Sequence, residues 1–333
     1  MERYGNLKPM WAITAAEAGA PDVLGLQEVE TPTAGSGELL IRVAAAGVNR
    51  ADLLQRQGHY PPPPGASSIL GLECSGEVAA VGPGVIGWEV GDACVALLAG
   101  GGYAEYVAVP VGQVVEPPDG IDRITAGGVI ELSATVVSNT DIAGLAADEI
   151  FLVHGGSGGI GSFAVQYAKS IGATVVTTSG NDEKLAYCRS VGADLAVSYR
   201  DDWATAVMDF TDQHGVDVIL DSMGASYLEQ HVSVLATEGR LMVIGTQGGA
   251  RGELSLGRLL AKRGRIIATT IRSRPPEQKA EICARVAEVV WPQLSSGTIT
   301  PPPQTVFPLS RAAEAHRHLE SGDNLGKIIL EVG

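Results

Sequence analysis

The apolar run Ile150-Phe151-Leu152-Val153-His154 passes directly into Gly155-Gly156-Ser157-Gly158-Gly159-Ile160-Gly161, and a helical pattern follows from Ile160 to Ile171. Gly156, Gly158 and Gly161 fit G-x-G-x-x-G in the strand, turn and helix setting that this motif requires. Glycines permit the tight turn and let the backbone approach a pyrophosphate. Free N–H groups and the positive end of the following helix then face its negative charge. A second strand, Thr174 to Thr178, comes at the expected distance, so the segment reads as a dinucleotide-binding turn rather than a structural glycine loop. NAD sites place an acid about 20 residues further on, where it accepts from the ribose 2'-hydroxyl. Thr178, Ser179 and Gly180 occupy that region here, and Asp182 and Glu183 come later, at a helix start that suits their charge. A 2'-phosphate is therefore tolerated. Lys184 is either a cation for it or a solvated helix residue.

The rest of the chain has two textures. Before about Ile121, short apolar runs (Leu39 to Ala45, Val78 to Val81, Tyr103 to Val109) alternate with glycines and prolines, which is β-rich punctuation. The run Pro61 to Pro64 has no backbone N–H to offer a sheet and must be a stiff exposed loop. After about Glu149, strands (Val216 to Leu220, Arg240 to Ile244, Arg265 to Ile271) alternate with helical patterns (Asp182 to Ser190, Tyr227 to Leu235), with Leu195 to Ser198 as a further strand. That alternation implies an α/β unit with a doubly wound parallel sheet. Pro275 and Pro276 open a long helical segment to about Leu294, which Pro301-Pro302-Pro303 ends, and Met1 to Pro9 read as a loose extension before the first strand. A chain of 333 residues fits about two domains.

The formal charge of -15 argues against nucleic acid or an anionic membrane as a general partner. Arg251, Arg258, Lys262, Arg263, Arg265, Arg272 and Arg274 form a basic run that reads as a solvated face or an interface between protomers before a phosphate site. No apolar stretch approaches the roughly 20 residues that span a bilayer, and the first residues lack a signal-peptide core, so a cytoplasmic protein is expected. Cys74, Cys94, Cys188 and Cys283 are far apart, without the spacing of a disulfide framework or structural zinc site. Reduced, mostly buried thiols are the expectation.

The glycine turn, together with Asn49-Arg50-Ala51-Asp52, Gly58-His59-Tyr60 and the proline run, Gly71-Leu72-Glu73, and Asn324-Leu325-Gly326-Lys327-Ile328-Ile329-Leu330, resembles the zinc-free quinone oxidoreductases of the medium-chain dehydrogenase/reductase superfamily. The resemblance spans nearly the whole chain and is greatest to the tumour-suppressor-induced quinone oxidoreductase branch, with zeta-crystallin more distant. It implies a GroES-like catalytic domain from residues 1–127 and 272–333, and a Rossmann cofactor domain from residues 128–271. It also implies that NADPH meets Asn49, Tyr60 and Thr135 near the nicotinamide and Ser157, Gly158, Gly159 and Ile160 at the pyrophosphate. Gly180, Lys184 and Tyr199 would surround the 2'-phosphate. Val243, Ile244, Gly245, Thr246, Thr270, Ile271, Arg272, Asn324 and Lys327 would complete the cofactor contacts. In Glu131-Leu132-Ser133-Ala134-Thr135-Val136, small residues stand where the family has bulky ones beside the Thr, which implies a different pocket shape.

Zinc-dependent relatives use a Cys near the Asn49 region and a His in a G-H-E triplet, whereas this chain has Asn49 and Leu72, and the lobe of four cysteines for structural zinc is missing. No metal is therefore expected. Without a Lewis acid the acceptor must already be electrophilic, a quinone or an activated alkene, and positioning carries most of the catalysis. Tyr60 or Asn49 would hydrogen-bond the charge developing on the acceptor oxygen. Alternatively, Tyr60 packs on the proline run and Asn49 orients its loop. Quinone reduction, enone or alkenal reduction, and a non-catalytic NADPH-binding structural or RNA-binding role are all compatible with these residues. A homodimer is expected, because a strand from Arg265 to Ile271 would leave an apolar sheet edge open to a second copy.

Overall fold

The computed structural model describes residues 8–332. Residues 1–7 of the expected N-terminal extension lie outside them; at Lys8 the backbone carbonyl accepts from Thr31 Oγ1 at 2.6 Å. Two compact units are present, one made of the chain up to Ala134 with Ile271–Gly297 and Pro303 onward, the other of Thr135–Thr270 with Thr298–Pro302. In chain order the elements begin with β1 (Met10–Ala15), β2 (Leu24–Val29), β3 (Glu38–Val48), α1 (Arg50–Arg56), β4 (Glu73–Val81), β5 (Ala93–Leu97), β6 (Tyr106–Pro110), β7 (Val114–Val115), α2 (Arg123–Ala126) and α3 (Ile130–Ala143). Next come β8 (Ile150–His154), α4 (Gly159–Ser170), β9 (Thr174–Ser179), α5 (Asp182–Ser190), β10 (Leu195–Ser198), α6 (Trp203–Phe210), β11 (Val216–Asp221), α7 (Leu228–Val234), β12 (Leu235–Val243), α8 (Leu256–Lys262) and β13 (Arg265–Ala268). The chain closes with α9 (Pro276–Val289), α10 (Trp291–Ser295), β14 (Gln304–Pro308), α11 (Ala312–Ser321) and β15 (Lys327–Glu331).

The first unit is organised around β3, whose sequence Glu-Leu-Leu-Ile-Arg-Val-Ala-Ala-Ala-Gly-Val is buried along almost its whole length. It pairs antiparallel with β4, β6 and β15, and within it Arg42 is exposed. Leu39, Ile41, Val43, Val78, Val107, Val109, Ile328 and Leu330 form one apolar core with Ala312 and Ala315 of α11. The C-terminal strand β15, with Ile328 opposite Val48, thereby brings Lys327 to the end of β3 and the start of α1.

The second unit is a parallel sheet in the order β10-β9-β8-β11-β12-β13. The chain runs outward from β8 through β9 to β10, then crosses to β11 and runs the other way. Strand order therefore reverses between β8 and β11, and open α/β sheets bind ligands outside the carboxyl ends of the strands at such a point. The core of this unit includes Leu152, Val176, Trp203, Val207, Ile219 and Leu241.

Several expected boundaries move. The strand expected from Tyr103 starts at Tyr106, because Tyr103 is buried in the core of its unit with its hydroxyl on Asp52 (3.2 Å). The strand expected from Arg240 starts at Leu235, and Glu238 within it takes a left-handed φ of 64°. The strand expected to run to Ile271 ends at Ala268. The long C-terminal helix breaks at Val290, since Pro292 has no N–H to continue the ladder, and it ends at Ser295 before Gly297 (φ 74°), short of the proline run. The basic run forms no single face: Arg272 is buried, Lys262 donates to the Leu235 carbonyl, and Arg258 and Arg263 pair with Glu229 and Glu238.

Candidate active site

The glycine turn lies at the switch point. Gly156 and Gly161 are required by packing: a Cβ on Gly156 would come 2.2 Å from Thr177 Oγ1, and one on Gly161 would come 2.2 Å from the Gly155 carbonyl oxygen. Gly158 differs, since its Cβ would meet nothing nearer than 3.5 Å, so the protein itself has room for a side chain there. What its glycine leaves clear is the approach to the N-terminus of α4, where Gly158 is the N-cap and no side chain caps the helix. Open N–H groups at the start of a twelve-residue helix fit a pyrophosphate.

Ser157 and Ser179 share a hydrogen bond at 2.9 Å, tying the turn to the end of β9. Tyr199, at the end of β10, folds its ring over Gly180: a Cβ on Gly180 would meet Tyr199 Oη at 2.7 Å. Asn181 caps α5 by accepting from the Lys184 N–H (2.9 Å), which sets Lys184 in the first turn. Gly180 and Tyr199 are thus in contact and Lys184 stands in the first turn of α5, with no acid at the β9 end. Val243 ends β12 with Ile244 to Thr246 after it, and Thr270 follows β13; the Ile244 N–H donates to the Asp221 carbonyl (2.8 Å). Thr135 lies buried on α3, where its carbonyl accepts from Asn139 Nδ2 at 2.7 Å.

Beneath the turn lies a polar chain that the sequence did not reveal. His154 Nδ1 is 2.9 Å from Thr178 Oγ1 and His154 Nε2 is 2.7 Å from His231 Nε2. His231 Nδ1 faces the Asp221 carboxylate at 3.7 Å, which favours a proton on that nitrogen. His231 Nε2 then accepts from His154 Nε2–H, and His154 Nδ1 accepts from the Thr178 hydroxyl. Burial pushes His154 well below the ordinary imidazole range and His231 down to about 3, so both rings are neutral. The signal for this pair was slight: His154 ends an apolar strand, but nothing in the sequence marks a helix 77 residues later as its partner.

The first unit holds the second constellation. Asn49 caps α1 in a capping box with Asp52, whose carboxylate accepts from the Asn49 N–H (2.8 Å), the Gly71 N–H (3.0 Å) and the Tyr103 hydroxyl (3.2 Å). Burial raises Asp52 to about 6 against the lowering effect of these donors and of Lys327. Lys327 Nζ lies 2.7 Å from Glu73 Oε1 and donates to Asn49 Oδ1 at 2.5 Å. Asn49 Nδ2 donates to Glu73 Oε1 at 2.9 Å, and the Glu131 N–H donates to Glu73 Oε2 at 3.0 Å. Glu73 is fully buried and Lys327 nearly so. Removing one partner of such a pair costs about 3–5 kcal/mol, because the other charge is left buried alone. Tyr60 is half-buried under the Arg272 guanidinium, 5.2 Å from its ring centre. Arg272 itself is committed to the Ala99 and Tyr60 carbonyls and to Gln55. Asn324 Nδ2 donates within its own loop, to the Gly326 carbonyl at 3.3 Å. Ile271 is half-buried.

This second constellation does not suit a divalent metal. Leu72 is buried and has no ligating atom, and an ammonium ion is already on the Asn49 oxygen. Among the described residues no group of three or more His, Cys, Asp or Glu could hold a metal ion. All four cysteines are free and buried.

Residues 35–119 match the alcohol dehydrogenase GroES-like domain, and residues 159–288 match the family described as zinc-binding dehydrogenase. The chain is 31% identical over 322 residues to the quinone oxidoreductase of Pseudomonas aeruginosa, covering 96% of this chain and 98% of that one. It is also 31% identical over 320 residues to a phenolphthiocerol/phthiocerol polyketide synthase of Mycobacterium tuberculosis, where the match spans 95% of this chain but 14% of the synthase. Among solved structures, the Escherichia coli quinone oxidoreductase complexed with NADPH superposes with a TM-score of 0.87 at 27% identity, covering 97% of this chain and all of that one. The CurK enoyl reductase does so with a TM-score of 0.86 at 26% identity, covering 98% of this chain and all of that one. A GroES-like unit and a Rossmann unit in one chain define a medium-chain dehydrogenase/reductase, and this chain belongs to that superfamily's quinone oxidoreductase family. No helix among the described residues is long and apolar enough to cross a membrane.

Proposed function

We propose that the protein is an NADPH-dependent oxidoreductase that reduces quinones without a metal. The observation that carries this reading is the buried Lys327, Asn49 and Glu73 cluster, which takes the place of metal ligands with an ammonium, an amide and a carboxylate. With no Lewis acid to polarise an ordinary carbonyl, the acceptor must be electrophilic on its own, and quinones meet that condition. NADPH supplies a hydride when bound. Ser157, Gly158, Gly159 and Ile160 line the pyrophosphate, with the open N–H groups at the start of α4 as donors, and Gly180, Lys184 and Tyr199 receive the 2'-phosphate. Asn49, Tyr60 and Thr135 are assigned to the nicotinamide end, with Val243 to Thr246, Thr270 to Arg272, Asn324 and Lys327 completing the set. Asn49 and Tyr60 are the proposed donors to the charge that develops on the acceptor oxygen.

A second reading, reduction of enones or alkenals, draws support from the likeness to the CurK enoyl reductase and uses the same donors, since an enolate oxygen and a quinol oxygen make the same demand. A steady-state screen of NADPH oxidation over ortho-quinones, para-quinones and enones decides between them. Turnover of quinones at least tenfold faster, about 1.4 kcal/mol in the barrier, is the expected result. Enones as the faster class would establish the second reading, and binding of NADPH with no turnover of any acceptor would refute both.

A further inference from the structure

Amide oxygen and nitrogen are alike in shape, so an asparagine's orientation is settled by its partners. Those of Asn49 leave one answer. An ammonium can only donate, so the atom 2.5 Å from Lys327 Nζ is the oxygen. The Glu73 carboxylate oxygen that pairs with the Lys327 ammonium at 2.7 Å accepts, so the atom 2.9 Å from Glu73 Oε1 is the nitrogen. The backbone of the same residue is fixed by Asp52 at 2.8 Å. The second N–H of Asn49 donates to the Gly47 carbonyl at 3.4 Å, at the long limit of a hydrogen bond. Gly47 itself is needed to make room, since a Cβ there would come 2.2 Å from Glu73 Oε1.

We propose that Glu73 is a positioning residue: with Lys327 it locks the Asn49 amide with its oxygen turned to the ammonium and its second N–H held only by the long Gly47 contact, so that Asn49 offers a carbonyl acceptor an N–H and never its oxygen. The proposal rests on the reading of Asn49 as a group that meets the acceptor oxygen. A donor held in this orientation stabilises an oxygen as it gains negative charge, and it reorganises little because both ends of the amide are already held. A freely rotating amide would present its oxygen part of the time and repel that charge.

The test separates the lock from mere charge balance. Glu73→Gln alone strands the Lys327 ammonium and endangers the fold, so the informative protein is the neutral pair Glu73→Gln/Lys327→Met. It is expected to keep the melting temperature near wild type; because Lys327 is also one of the proposed cofactor contacts, kcat is read at saturating NADPH, where it falls by about tenfold or more for the best quinone with less change in the quinone KM. A kcat equal to wild type in that variant would overturn the proposal. The amide itself is read by nitrogen-resolved NMR, the Asn49 side-chain protons being assigned by their loss in Asn49→Asp. One proton shifted downfield and slow to exchange in wild type, and released in the neutral pair, is expected. Two equivalent, fast-exchanging protons in wild type would show that no lock exists. If wild type turns over no carbonyl acceptor, the functional reading fails by that result, and the NMR signal still decides the lock.

Discussion

Gly158 and Gly161 stand three residues apart in one turn and answer to different constraints. Gly161 has backbone 2.2 Å from where a Cβ would go, so Gly161→Ala should lower the melting temperature markedly or prevent folding. Gly158→Ala meets only an ordinary van der Waals contact, 3.5 Å from the Gly155 carbonyl oxygen, so it should fold normally yet weaken NADPH by about tenfold or more, because its methyl group occupies the approach to the α4 N-terminus. Thermal melts beside NADPH titrations check both, and equal melting temperatures with equal affinities would mean that the turn does not hold the pyrophosphate. Lys184→Ala should weaken NADPH by one to two decades, about 1.5–3 kcal/mol for a charge-assisted hydrogen bond, and NADH little. Asp182 and Glu183, exposed beside it, oppose the phosphate and set the lower end of that range. Equal losses for the two cofactors would place the 2'-phosphate elsewhere. The G-x-G-x-x-G pattern was legible by itself, but which glycine serves the fold and which serves the ligand depends on atoms brought from β9 and from the turn's own backbone.

At the scale of elements, three buried histidines couple helix packing to pH. His231 on α7 and His316 on α11 are held near about 3 by burial, and His154 at the end of β8 is also lowered. For His316 the neutral form is further required by Arg56, whose guanidinium donates to Nδ1 (3.2 Å) and repels a second proton. A base with a depressed folded pKa contributes stability that is present above its unfolded value, about 6.5, and is lost as pH falls toward its folded pKa. Asp52, raised to about 6, acts in the opposite sense: its contribution is full below the unfolded value of 3.8 and lost as pH rises through about 6. The histidines outnumber it, so stability should fall steadily from pH 6.5 to pH 4, by up to about 1.4 kcal/mol per pH unit for each histidine, and the melting temperature should fall with it. His316→Gln should flatten that slope, and a melting temperature independent of pH over the interval would refute the assignment. Elements such as α5 and β10 were readable to the residue because their caps and flanking glycines are local. The helix α3 was not, because it is buried on nearly all sides and shows no amphipathic period.

For the whole molecule, the sheet of the second unit ends at β13, whose residues are half-buried or exposed, and the neighbouring α8 exposes Leu256 (70%) and Leu260 (80%). An open strand edge beside exposed leucines is a surface that a second copy would cover. A dimer is the expected state at micromolar concentrations, and Leu260→Lys should shift it toward monomer. Light scattering reads both proteins, with a wild-type monomer as the result that would end the idea.

The sequence alone determined whatever is written in neighbouring residues: the strand, turn and helix of the glycine motif, the missing acid after β9, the alternation that makes a doubly wound sheet, and the absence of cysteine spacing for metal. Those features depend on backbone conformation and local periodicity, which a short segment carries by itself. Tertiary structure alone decided that Lys327 reaches Asn49 across 278 positions of sequence, that Glu73 holds both, and that His154 meets His231 under the turn. Glu73 stood in plain view in Gly71-Leu72-Glu73 without a role, because a buried carboxylate has meaning only once its cation is known. That cation arrives on β15, through the strand pairing that closes the first sheet.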